Sequence, residues 1–134
     1  MDAAVGVAGL ICVLMAFGHH AIGVVWVLPH VTEESVPPTP FGRSSMTVAM
    51  LRVTWYIVTV FVLAFGAILM TLAWAEAADA RTVLLRSFAV MWLAAAAMAI
   101  WVAWQRVHSL RGLFRLPVPF MWVVVALLCW WAST

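Results

Sequence analysis

Residues 46–75 read MTVAMLRVTWYIVTVFVLAFGAILMTLAWA, thirty positions interrupted by a single charge, Arg52. A hydrocarbon core of about 30 Å is crossed by about 20 consecutive apolar residues in α-helical form. The stretch therefore predicts a membrane-spanning helix, with tilt or protrusion absorbing its excess length. Three more stretches follow the same pattern, at about Ala3–Leu28, Thr82–Gln105 and Leu116–Trp131. Together they predict an all-α, transmembrane four-helix up-down bundle, a single integral membrane domain over residues 1–134.

Composition agrees with this reading along the whole chain. Of 134 residues, 67% are hydrophobic and 9% charged, with a mean hydropathy of +1.12, far from the roughly one-quarter charged usage of soluble domains. A soluble globular protein and a disordered one are excluded. Seven basic residues, a net charge of +2 and two cysteines leave no basis for nucleic-acid binding or a disulfide-stapled fold. The first helix is predicted to stay in the membrane rather than be cleaved, because Asp2 stands where a signal peptide needs basic residues and the apolar run is too long.

The polar segments between the helices set the predicted topology. Pro29 marks the end of helix 1 at Leu28, and residues 32–40 are too polar and proline-rich for hydrocarbon. Ser44 or Ser45 is placed to cap helix 2, and the short connection at residues 76–81 makes helices 2 and 3 an antiparallel hairpin. Arg106, Arg111 and Arg115 form a basic collar suited to lipid headgroups. Arg43, Arg52, Arg106, Arg111 and Arg115 lie on one side against Arg81 and Arg86 on the other. The positive-inside rule then places loops one and three in the cytoplasm of a bacterial cell, at its inner membrane, with both termini outside. Trp26, Trp104 and Trp122 fall near the inner interface and Trp74, Trp130 and Trp131 near the outer one, as aromatic belts do. Trp55 and Trp92 fall deeper.

Polar residues inside a span need a partner or a wet cavity, so they mark where function can sit. His19 and His20 on helix 1 lie at similar depth to Arg52 and Tyr56 on helix 2. Gly9, Cys12, Ala16, His19 and Gly23 recur at three- or four-residue spacing, a small-residue stripe that permits close helix approach. Arg52, Tyr56, Thr59, Leu63 and Gly66 form the matching stripe, beside Trp55. The spacing predicts a pocket between helices 1 and 2 built from His19, His20, Arg52, Trp55, Tyr56 and Thr59. Packing is assigned to Gly9, Ala16, Gly23 and Gly66. His19 is the imidazole aimed inward, bonded to Tyr56 or Thr59, and Arg52 snorkels toward the headgroups.

The segments Phe17-Gly18-His19-His20-Ala21-Ile22-Gly23 with Leu28-Pro29, and Leu51-Arg52-Val53-Thr54-Trp55-Tyr56-Ile57-Val58-Thr59, resemble a group of small bacterial four-helix integral membrane proteins of unassigned function. In that group helix 1 ends in an Ala-His-Ser-x-Leu-Gly-Glu type motif and helix 2 carries Leu-Arg-x-x-Trp-His-x-x-Ser/Thr. The resemblance covers the first half of the chain and matches at His19, Gly23, Arg52, Trp55 and Thr59. Val24 replaces the glutamate and Tyr56 the second histidine, which removes two groups suited to a metal or haem.

The functional expectation is a small polytopic subunit, structural or accessory to a larger membrane complex or a homo-oligomer, without catalysis of its own. No P-loop, G-x-S-x-G or metal-spaced cluster appears. The first alternative is a redox protein binding haem or a quinone between helices 1 and 2, since histidine both ligates and titrates. The second is a small transporter, disfavoured because no carboxylate lies inside a span. Cys12 and Cys129 read as small buried apolar residues.

Overall fold

In the computed structural model, residues 2–39, 42–75, 79–107 and 117–134 are described, with the side chains of 106, 107 and 117 left aside. The fold is all-α. Its helices are α1 (Ala3–Ile22), α2 (Ser44–Leu72), α3 (Asp79–Val107) and α4 (Pro117–Trp131). Three helical paths, Ala3–His30, Ser44–Leu72 and Asp79–Gln105, are long and apolar enough to cross a membrane. At 15 residues, α4 covers about 22 Å, less than the ~30 Å of hydrocarbon. His108, Arg111 and Arg115 lie outside the described residues.

Helix ends differ from the sequence expectations for local reasons. Helix 2 starts at Ser44, with the Arg43 carbonyl accepting from the Met46 and Thr47 N–H groups, so Ser44 and Ser45 sit inside the first turn rather than before it. It ends at Leu72, and residues 73–75 form a tighter turn in which Trp74 and Ala75 donate to Thr71 and Leu72. Helix 3 begins at Asp79 instead of Thr82, gaining an acidic residue in its first turn, where the helix dipole favours negative charge. Pro117 opens α4, a position where its missing N–H has no cost.

Helix 1 departs most. Its α-geometry stops at Ile22, not Leu28, and the chain continues through a π-helical turn (Gly23–Val27) and a 3-10 turn (Leu28–His30). The Leu28 N–H donates to the Gly23 carbonyl, five residues back. Pro29 accounts for the change: its ring collides with the carbonyl four residues earlier and it offers no N–H. Widening the preceding turn keeps the helical path going past the proline. The extra residue moves the inward face, so that Leu28 rather than Val27 follows Gly23 as a buried position.

The chain divides into two compact units, Val13–Phe65 and Met1–Cys12 with Gly66–Thr134. In the second of these, Val5, Ala8, Cys12, Leu69, Ala73, Leu85, Ala89, Trp92, Ala96, Val125, Ala126 and Cys129 form the core. Small side chains dominate it, as close helix approach in lipid requires. A Cβ on Gly9 would come within 2.9 Å of the Gly66 carbonyl oxygen. Cys12 and Cys129 are both fully buried free thiols.

Trp92 and Trp122 meet with ring centroids 5.8 Å apart and planes tilted by 45°. Trp122 thus packs against a core ring, whereas Trp26, Trp74, Trp104, Trp130 and Trp131 are exposed.

One end of this unit is held by polar groups. Asp2 Oδ1 accepts from the Ala4 and Val5 N–H groups at 3.1 and 3.3 Å, which makes Asp2 the N-cap of α1. Its other oxygen receives the Arg81 guanidinium at 2.5 Å. Arg81 also donates to the carbonyls of Leu72 and Ala132, and Arg86 to that of Ser133. Burial alone would raise the Asp2 carboxyl, but the Arg81 bond and the two capping N–H groups outweigh it and hold the group below its ordinary range.

Candidate functional site

The unit Val13–Phe65 contains the six residues predicted to build the pocket, His19, His20, Arg52, Trp55, Tyr56 and Thr59. Contacts here run antiparallel: Thr59 pairs with His19, Trp55 with Gly23, and Arg52 with Val31. Gly23 makes the closest of these approaches. A Cβ built on it would lie 1.9 Å from Trp55 Nε1 and 2.4 Å from Cε2, so the indole occupies the space that any larger residue would fill.

Trp55 is fixed from two directions. Its ring stacks on the His19 imidazole at a centroid distance of 4.1 Å and an interplanar angle of 11°. Its Nε1–H donates to the His19 carbonyl at 3.2 Å. His19 Nδ1 in turn lies 2.9 Å from Thr59 Oγ1, and the Thr59 hydroxyl donates to the Trp55 carbonyl at 3.1 Å. With its one proton committed there, Thr59 accepts from Nδ1–H, and His19 Nε2 keeps its lone pair. His19, Trp55 and Thr59 thus form one closed network linking α1 and α2.

The other three predicted pocket residues stand elsewhere. Arg52, Tyr56 and Leu63 are exposed, and the inward positions of α2 in this unit are Val48, Trp55, Thr59 and Val62. Of the α2 stripe predicted through Arg52, Tyr56, Thr59, Leu63 and Gly66, Thr59 and Gly66 are turned inward, whereas Trp55 and Val62 take the places expected of Tyr56 and Leu63, and Arg52 is exposed. Indole packing on His19 and the gap left by Gly23 decide the rotation, and Tyr56 has no equivalent gap. Tyr56 instead faces His20, with ring centroids 5.9 Å apart at 46°. Arg52 does snorkel, but to a backbone group: Nη2 donates to the Val31 carbonyl at 3.2 Å. The single predicted pocket resolves into an inner network and an outer polar face.

On that outer face an open cavity of about 240 Å³ is lined by Val24, Leu28, Pro29, Arg52 and Tyr56. Sequence reasoning missed Val24, Leu28 and Pro29 as lining residues. The available signal was Pro29 itself, since a proline late in an apolar helix implies a disturbed turn four or five residues upstream. The Asp2–Arg81 pair was missed as well, although an aspartate immediately before an apolar helix is an N-cap pattern.

Of the packing glycines, Gly9, Gly23 and Gly66 are buried, as is Ala16. Among the described residues no three histidine, cysteine or acidic side chains come together to hold a metal ion. No protein-family model, no curated protein and no solved structure matches this chain.

Proposed function

We propose that this chain is a non-catalytic accessory subunit of a larger membrane assembly, resident in a bacterial inner membrane. Loops one and three face the cytoplasm in this reading, supported by the five-to-two distribution of arginines. The observation that carries it is the pair His20 and Tyr56. Both are exposed, and His20 lies ten residues before the end of the helical path at His30, about 15 Å along the axis. An imidazole and a phenol facing hydrocarbon at that depth are costly unless another membrane segment supplies hydrogen-bond partners. A transmembrane helix of a second protein, laid against this face, meets that need. A bis-histidine haem finds no support here, because His19 packs on Trp55 and Thr59 and not on a second imidazole.

The test is in-cell photocrosslinking from a benzophenone residue at position 20 or 56, with Leu84, an exposed residue of α3, as control. The expected result is a discrete adduct with one partner protein from positions 20 and 56 and none from 84. Lipid-only labelling from all three positions refutes the reading, and an adduct of twice the chain mass replaces the second protein with another copy.

A further inference from the structure

The cavity bounded by Val24, Leu28, Pro29, Arg52 and Tyr56 joins one cation and one phenol to apolar walls. Arg52 commits Nη2 to the Val31 carbonyl. Among the described residues no carboxylate lies within ion-pair distance of it, the single such pair being Asp2–Arg81. Most of the five guanidinium N–H donors thus remain for a ligand, and their fork matches the oxygens of a phosphate.

Position along the helix indicates the ligand's source. Helix α2 has 29 residues, about 44 Å of length against ~30 Å of hydrocarbon, an excess of about 14 Å. Arg52 lies eight residues after Ser44, about 12 Å along the axis. With the excess shared between both ends, its Cα falls about 5 Å below the headgroup boundary, within snorkelling reach of it. A ligand that presents phosphate at that level and hydrocarbon below it meets both kinds of wall. The volume of about 240 Å³ holds a headgroup and the start of an acyl chain, but not a whole lipid.

We propose that this cavity binds the phosphate headgroup of an anionic membrane phospholipid. Arg52 bonds the phosphate oxygens, and Val24, Leu28 and the Tyr56 ring line the first acyl carbons. An anionic lipid is favoured over a zwitterionic one because the described wall offers no carboxylate to pair with a headgroup ammonium. The inference stands apart from the partner reading, since it concerns the isolated chain.

The test is native mass spectrometry of the purified full chain with equimolar phosphatidylglycerol and phosphatidylcholine. Preferential retention of phosphatidylglycerol is expected, falling roughly tenfold in Arg52→Gln, the equivalent of about 1.4 kcal/mol, and falling less in Arg52→Lys, which keeps the charge but not the fork. Val24→Trp fills the cavity at an exposed position with the charge intact, and is expected to lose the same preference, which guards against misfolding of the Arg52 variant. Equal retention of the two lipids, or unchanged preference in both Arg52→Gln and Val24→Trp, overturns the proposal. So does displacement of the lipid by millimolar inorganic phosphate, which would assign the site to the free anion, or by ubiquinone, which would assign it to a redox ligand.

Discussion

Among the described glycines of the Val13–Phe65 unit, Gly23 is the one where an added methyl group meets the closest clash. The added Cβ would stand 1.9, 2.4 and 2.7 Å from three atoms of the Trp55 indole, separations that no real contact tolerates. A rigid ring cannot yield at its tip as a methionine does, so Trp55 must rotate or the α1–α2 seam must open. Rotation forfeits the Nε1 bond to the His19 carbonyl, about 0.6 to 1.5 kcal/mol in a membrane protein, and the stack on His19, about 0.5 to 1.5 kcal/mol. Alanine recovers up to about 1 kcal/mol through helix propensity. If the seam opens instead, overpacking costs about 1 to 3 kcal/mol. With that recovery subtracted, the expected net loss is about 0 to 2 kcal/mol by either route, or about 1 to 3 kcal/mol relative to a glycine whose alanine variant gains the same propensity without a clash. Gly18 supplies the control, because a Cβ there meets nothing within 4 Å and its alanine variant should be neutral or slightly stabilising. The assay is reversible unfolding in mixed micelles by titration with a denaturing detergent, with both variants also placed in a Trp55→Ala background. There the Gly23→Ala penalty should largely disappear. Equal midpoints for Gly23→Ala and Gly18→Ala, or a penalty that persists without Trp55, would refute the close approach described here.

Two further outcomes follow from the polar contacts. Thr59→Val keeps the side-chain shape and removes the acceptor facing His19 Nδ1, and should cost about 0.6 to 1.7 kcal/mol in the same unfolding titration. A null effect there means the inner network contributes only packing. Asp2 carries a depressed carboxyl, so its contribution is complete above the ordinary carboxylate range and is lost as pH falls through the lower folded-state value. Stability should decline on acidification from about pH 5 to about pH 3, and Asp2→Asn, which keeps the cap, should flatten that limb while lowering the plateau by up to about 1 kcal/mol through the lost ion pair. An acid limb unchanged in Asp2→Asn would assign it to other carboxylates.

The apolar stretches were legible because the bilayer imposes one rule on all of them: twenty or so residues without charge must be helical. Depth was legible only in part: Tyr56 does face His20, but His19 lies level with Thr59 and Arg52 level with Val31, so Arg52 sits about 10 Å nearer the helix end than the histidine it was matched with. Rotation about the helix axis was not. A period of 3.6 carries α1 from Gly23 to Trp26 or Val27, but the π-turn before Pro29 inserts a residue and puts Leu28 inside. On α2, Thr59 fits equally well a stripe with Arg52, Tyr56 and Leu63 and one with Trp55 and Val62. Only the indole's fit over Gly23 and against His19 chooses between them.

That choice divides the polar residues by role. Side chains turned inward, His19, Trp55 and Thr59, satisfy one another, and a group whose hydrogen bonds are closed within its own unit has little left to offer a ligand except the Nε2 lone pair of His19. Those turned outward, His20, Arg52 and Tyr56, hold unspent donors toward the membrane, where nothing but lipid headgroups or another protein can accept them. The cost of leaving them unmet grows with depth. Arg52 reaches the boundary by snorkelling and can be satisfied by a phosphate, whereas His20, deeper by the helical rise, cannot. The lipid and partner proposals together give this outward face two different occupants, a headgroup at the level of Arg52 and a polar membrane segment at the level of His20 and Tyr56. Loss of lipid preference in Arg52→Gln without loss of the position-20 crosslink is the separation this requires.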